Sequence, residues 1–267
     1  MADDTPAVAV AKLPNPHISR VDVLGVGVSI VDMDSTIKEI GRWIDEGEHH
    51  YVCVTGVHGV MESQKDPSLL DIHNRSGLTI PDGMPMVWAG KNAGFAEIDR
   101  VSGPDLMPLL CERGAPRGWR HFFYGGAEGV PEQLAEKLKE RVPHLAVVGT
   151  YSPPFRPLTA EEETEVAEMI NASGADIVWV GLSTPKQERW MDAMAGRLDA
   201  AAVLGVGAAF DFHSGGLKRA PMWMQRSGLE WLYRMMKEPR RRARRYLTNN
   251  PRFVWKIMRR RPKPMQS

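Results

Sequence analysis

Short apolar, β-branched runs alternate with longer amphipathic stretches through most of this chain. Residues 51–55 (YVCVT), 78–80 (LTI), 119–124 (WRHFFY), 146–151 (AVVGTY), 176–180 (DIVWV) and 201–205 (AAVLG) read as short buried strands. Val21 to Val31, apolar and interrupted by glycines, reads as a strand or hairpin. Helices are predicted from Asp34-Ser35 to about Asp45, over 57–64, from about Met84, and over 103–113, 130–141 and 186–197. Ile37, Ile40 and Ile44 fall on one face of the first. Another helix starts at Thr159 and carries Glu161, Glu162 and Glu163 in its first turn, where the helix dipole favours acids. Strands alternating with helices of this length predict an α/β fold, a parallel sheet wrapped by helices.

Ligands of such sheets bind at the carboxyl ends of the strands. Those ends carry Thr55, Asp82, Gly125-Gly126, Thr184-Pro185-Lys186-Gln187 and Asp211, the last closing a strand-like run Gly205 to Phe212. The pattern changes at the chain ends. Residues 1–18 are Pro- and Ala-rich without a period and read as a loose arm. Trp223 to Met236 has apolar residues three and four apart, and Arg240 to Leu247 and Pro251 to Met258 read as two further short helices. The chain thus divides into an arm (1–18), an α/β core (19–217) and a helical appendage (218–267).

Charge sharpens that division. From Lys218 onward there are 16 Lys and Arg against two acids, whereas residues 1–217 hold 18 against 31, a split hidden in the net charge of +1. A basic tail with Trp223, Trp231 and Trp255 suits a polyanionic partner. Arginine pairs with phosphates and tryptophan favours the membrane interface, so the tail reads as a grip on an anionic membrane surface through residues 218–261. The body shows no nucleic-acid recognition module. No run of 18 apolar residues and no secretory pattern is present, so a protein on the cytoplasmic side of the membrane is expected. Two cysteines, Cys53 and Cys111, sit among apolar neighbours and read as buried thiols. The fifteen methionines suit core packing and a self-associating surface alike, so a homo-oligomer stays open.

The candidate chemistry lies at the strand ends. Asp82, before a helix, fits a general base and a helix N-cap equally well. Phe123-Tyr124-Gly125-Gly126 offers backbone N–H groups to a phosphate but also makes a plain tight turn. It lacks the spacing and the ribose-binding acid of a dinucleotide fingerprint, which weakens a nucleotide-binding oxidoreductase reading. Thr184-Pro185-Lys186-Gln187 places a lysine and an amide at a helix start, suited to an anion and a sugar hydroxyl, although Pro there is ordinary helix-start chemistry. Asp32-Met33-Asp34 fits a helix cap better than a metal site. His58 and His213 lack partners at ligand or triad spacing.

Eight blocks then fall in order: Pro81-Asp82-Gly83, Arg100 to Met107, Phe123 to Gly126, Pro185 to Glu188, Gly205 to Phe212, Arg219-Ala220-Pro221, Gly228 to Arg234 and Glu238-Pro239-Arg240. Together they resemble the WecG/TagA/CpsF glycosyltransferases (glycosyltransferase family 26) over about residues 20–255. The resemblance implies a Rossmann-like core with a C-terminal helical appendage. It implies inverting transfer of a sugar from a UDP-sugar to a polyprenyl-diphosphate-linked saccharide, with no cofactor or required metal, in bacterial surface or exopolysaccharide assembly. Asp82 would be the base. Gln187 and the loop before it would contact the donor, with Thr55, His58, Gly125, Gly126, Thr184, Lys186 and Asp211 around it. Arg100 would serve the acceptor or diphosphate, and Arg234, Arg241 and Arg244 would close over the site from the appendage. N-acetylmannosamine, its uronic acid and glucose are the sugars of relatives. One position departs: Val57 stands where the family has Asn after Thr55, and His58 is the nearby polar substitute. The rival to an enzyme is a membrane- or nucleic-acid-binding protein driven by the tail, which gives no reason for Asp82, Gln187 and Asp211 at successive strand ends.

Overall fold

A computed structural model describes residues 15–216 and 219–265. Two sheets organise them. The first is small and antiparallel. Strands β1 (Arg20–Val23) and β2 (Val26–Ser29) form a hairpin, and β9 (Lys263–Pro264), from the far end of the chain, pairs with the outer side of β1. The second holds six parallel strands in the order β4-β3-β8-β7-β5-β6: β3 (His50–Thr55), β4 (Leu78–Pro81), β5 (Arg120–Gly125), β6 (Ala146–Tyr151), β7 (Ile177–Gly181) and β8 (Ala202–Gly205).

Helices cover both faces of the large sheet because its strands are apolar on both. Along β5, Phe122 and Tyr124 point to one side and Phe123 to the other. One face packs on α1 (Met33–Glu46), α5 (Gly103–Gly114), α6 (Val130–Arg141) and the short α9 (Ala209–His213). The other packs on α3 (Pro67–Arg75), α7 (Ala160–Ser173) and α8 (Lys186–Met194). This is the parallel sheet wrapped by helices that the strand–helix alternation predicts, and it is Rossmann-like as the resemblance implies. A third cluster joins the β1–β2 hairpin, α2 (Val57–Ser63), α4 (Met84–Asn92) and Phe253. Cys53 and Cys111 are buried free thiols, one in each of the two main clusters.

Several local expectations are corrected. Asp32, not Asp34-Ser35, caps α1: its carboxylate accepts from Ser35 N–H at 2.8 Å, and Ser35 Oγ accepts from Asp32 N–H at 2.9 Å. That occupies Asp32 of the Asp-Met-Asp run as a cap. The strand-like run to Phe212 ends at Gly205, and Ala209–His213 turns into a helix that leaves Asp211 exposed. Helix α3 follows an Asp66 cap that sequence reading passed over.

The tail differs more. Its first helix breaks at Gly228 (φ +73°) into α10 (Met222–Arg226) and α11 (Glu230–Lys237). The two short helices expected after it are one, α12 (Pro239–Arg259), which runs through Pro251. An interior proline costs about 3 kcal/mol. Phe253, two residues later, is buried in the third cluster with Ile257 packed against it, and that anchorage offsets the cost. At the other end of the chain Asn15 is already packed, its amide donating to Glu39 at 2.6 Å.

Candidate active site

A cleft of about 1440 Å³ runs across the carboxyl ends of the large sheet and is roofed by α11 and α12. It lies where the strand-end residues were expected to converge.

Asp82 stands on its floor. Its N–H donates to Thr55 O at 3.0 Å, so the pairing of β3 with β4 continues one residue past the strand. Gly83, at φ +96°, then turns the chain into α4 and is itself the N-cap position, where no side chain makes a capping bond. The carboxylate of Asp82 therefore does not cap α4 and is free for the cleft. Gly56 makes room for this turn, since a Cβ there would lie 2.6 Å from Asp82 O. Burial pushes the Asp82 carboxyl up to about 6, Glu230 adds to the rise, and Arg100, Arg234 and Arg219 oppose it. A carboxylate of that basicity can accept a proton from a hydroxyl near neutral pH.

Arginines from four segments gather at the cleft, three of them acting on Asp82. Arg100 Nη2 donates to Asp105 Oδ2 at 2.7 Å and to Gln225 Oε1 at 3.3 Å, and Arg100 Nη1 lies 4.0 Å from Glu230 Oε2. Arg219 reaches the same two partners: its Nη1 binds Asp105 Oδ1, and its Nη2 donates to Asp105 Oδ2 at 3.1 Å and Gln225 Oε1 at 2.9 Å. Those bonds hold Asp105 well below the usual carboxylate range. Arg234 stacks over the Phe212 ring at 5.2 Å, with Nη2 buried and lacking a hydrogen-bond partner among the described residues. Arg245 lines the cleft from α12 with its Nε in the same condition. Unspent guanidinium donors in a cleft that also holds a carboxylate suit a phosphorylated ligand.

The residues expected around a donor are placed unevenly. His58 lines the cleft 3.5 Å from Asn249 Nδ2, and burial and Arg245 push it down to about 4, so it is neutral. Val57 also lines the cleft and packs against the third cluster. Thr55 is buried against Gly59, its Oγ1 unpartnered among the described residues. Gly125 and Gly126 form a positive-φ turn pressed on β7: Gly126 N–H donates to Gly181 O at 3.1 Å, and a Cβ on Gly125 would lie 2.8 Å from Gly181 C. Gly126, Thr184, exposed Lys186 and exposed Asp211 line the cleft.

Gln187 is only 3% exposed. Its Nε2 donates to Gly205 O at 3.0 Å and Glu188 Oε1 at 3.1 Å, while Oε1 is unpartnered among the described residues and close to Gly207. It ties α8 to the end of β8. Arg244 is exposed and not among the cleft residues, and Arg245, its neighbour, takes that place. The Arg241 side chain lies outside the described residues.

Sequence reading missed Asp105, Arg219, Gln225, Glu230 and Arg245 as site residues. Asp105 and Arg219 are 114 positions apart, and no local spacing links them. Phe155, 93% exposed in the Pro153-to-Pro157 loop at the far end of the cleft, was also passed over. Its signal was an aromatic residue set among prolines, between a predicted strand and a predicted helix.

The fold is Rossmann-like α/β, with its cleft at the carboxyl ends of the parallel strands. The chain belongs to the glycosyl transferase WecG/TagA/CpsF family, whose pattern matches residues 21–267. It is similar to an N-acetylglucosaminyldiphosphoundecaprenol N-acetyl-beta-D-mannosaminyltransferase of Bacillus spizizenii (strain ATCC 23059 / NRRL B-14472 / W23), 29% identical over 216 residues that cover 81% of either chain. A protein of Bacillus subtilis (strain 168) with the same printed name is 30% identical over 175 residues, 66% of either chain.

Proposed function

We propose that this enzyme transfers a sugar from a UDP-sugar to a saccharide carried on a polyprenyl diphosphate, with inversion and with Asp82 as the base. The single observation that carries the reading is Asp82 itself, a half-buried, uncapped carboxylate of raised basicity among Arg100, Arg219 and Arg234. Asp82 takes the proton of the acceptor hydroxyl as that oxygen attacks the anomeric carbon, and the bond from that carbon to UDP breaks. The leaving diphosphate gains negative charge, and Arg100 and Arg219 beside Asp82 stabilise it in place of a metal ion. The names of the relatives favour an N-acetylmannosamine donor and an N-acetylglucosaminyl diphosphate lipid as the first pair to try.

The membrane role follows from the tail. Among the described residues no helix is long and apolar enough to cross a membrane. Exposed Trp255 lies under Arg259, whose guanidinium is 3.9 Å from the ring centroid, and Met222, Trp223 and Leu247 are also exposed. Basic and apolar groups in alternation suit an anionic lipid surface on the cytoplasmic side of a membrane.

The test is UDP release from a panel of UDP-sugars with EDTA present, with and without a saccharide–diphosphate–lipid acceptor. Release with one sugar, dependent on acceptor and lost in Asp82→Asn, supports the reading. Release that needs a divalent ion, or that survives in Asp82→Asn, refutes the metal-free step or the base.

A further inference from the structure

The cleft does not end at the arginines. It continues between α4 and α12, where its walls are Met84, Trp88 and Ala89 on one side and Phe253, Val254 and Ile257 on the other. Met84, Ala89, Phe253 and Ile257 belong to the packed cluster of the β1–β2 hairpin, so the floor of this furrow is fixed. Its rim is open: Trp88 is 49%, Val254 54% and Met258 67% exposed. Contiguous exposed apolar surface beside polar groups marks a binding site more often than chance.

The face of α12 toward the cleft is graded. Arg245, Asn249, Phe253 and Ile257 are spaced four apart and share one side of the helix. Over about 18 Å that side passes from a guanidinium through an amide to a phenyl ring and a butyl group. At its polar end Arg245 Nε and Arg234 Nη2 are buried without hydrogen-bond partners among the described residues.

We propose that the α4–α12 furrow binds the first isoprene units of the acceptor's polyprenyl chain. This rests on the glycosyl-transfer reading above and names how that acceptor is held. The order of chemistry along the cleft is the order of groups along such a lipid: Asp82 at the sugar hydroxyl, Arg234 and Arg245 at the lipid's diphosphate, the furrow at the hydrocarbon. A diphosphate meets the unspent guanidinium donors and is covalently followed by the chain that covers the apolar walls. A second copy of the protein would cover the walls and leave the donors unmet.

The experiment uses the full chain and two acceptors with the same saccharide and diphosphate, one on a two-carbon alkyl group and one on a prenyl chain of several isoprene units. The wild type is expected to favour the prenyl acceptor at least tenfold in kcat/KM. Val254→Ser with Met258→Ser, both at exposed positions, is expected to reduce that preference at least fivefold, and Trp88→Ser to do the same. Val254→Leu with Met258→Leu restores it. A preference that is absent in the wild type or unmoved by these substitutions, while transfer to the short acceptor proceeds, overturns the furrow assignment alone. A change in sedimentation without a change in preference overturns it in favour of a second copy. Transfer to neither acceptor by the wild type overturns the glycosyl-transfer reading, and the furrow with it.

Discussion

Arg100 and Arg219 share one carboxylate, Asp105, with Arg100 Nη2 at 2.7 Å and Arg219 Nη2 at 3.1 Å from the same Oδ2. Ser102 Oγ donates to that oxygen as well, at 2.7 Å. One acid at the start of α5 thus sets the position of two arginines that act on Asp82 from different segments. Asp105→Ala frees both guanidinium groups and leaves partly buried charges unpaired. It is expected to lower stability by about 2 kcal/mol and kcat at least tenfold. Urea denaturation and initial rates check the two effects, and wild-type rates in the variant would remove Asp105 from the positioning of the site.

Asp82→Asn is expected to cut kcat about 10²–10⁴-fold with a small change in acceptor KM, because the base acts only as the hydroxyl proton leaves. Comparable losses in KM would make Asp82 a binding residue instead.

Asp82 also sets a pH dependence of stability. Its folded value of about 6 lies above the 3.8 of the free side chain. Between these values the folded chain holds the proton that the unfolded chain has released, so stability falls as pH rises from 4 to 6. Above 6 the full cost applies, about 2–3 kcal/mol. Asp82→Asn removes the charge, so the inactive variant is expected to be more stable than the wild type at pH 8 and not at pH 4. Denaturation at both values reads this directly.

Glu230 adds negative charge near Asp82 and helps raise its affinity for a proton. The acid limb of kcat/KM is expected near pH 6, falling tenfold per unit below it, and Glu230→Gln should move that limb to lower pH. A limb that stays in place would show that another group governs the profile.

Gly125→Ala places a Cβ 2.8 Å from Gly181 C, at φ +118°. Backbone cannot give as a flexible side chain can, so a loss of about 3 kcal/mol is expected, with the turn beside the cleft displaced. Thermal unfolding measures it.

Arg252 and Arg259 are exposed on α12, away from the cleft lining. Arg252→Glu with Arg259→Glu is expected to weaken binding to vesicles containing anionic lipid by about 2 kcal/mol or more, and added salt should weaken the wild type in the same way. Full-length variants suit this better than truncation, because Phe253 is part of a buried cluster and β9 pairs with β1. Cosedimentation reports the difference.

The alternating strands and helices were legible in the sequence because each carries its own period and breakers. The apolar run from Asp176 to Val180 (DIVWV), the Thr159 cap and the glycines at Gly125-Gly126 signal locally what they form. Asp82 was legible as a strand-end carboxylate, and its choice between cap and base was not. The turn at Gly83 removed the cap reading, by taking the N-cap position itself. The charge split between body and tail was likewise readable from order alone. The tertiary structure decided which arginines are brought to the cleft. Arg245 rather than Arg244 faces the cleft because α12 is one continuous helix whose rotation is set by Phe253, packed in the cluster of the β1–β2 hairpin. Asp105 meets Arg219 across 114 residues, a contact made by packing and not by any spacing along the chain.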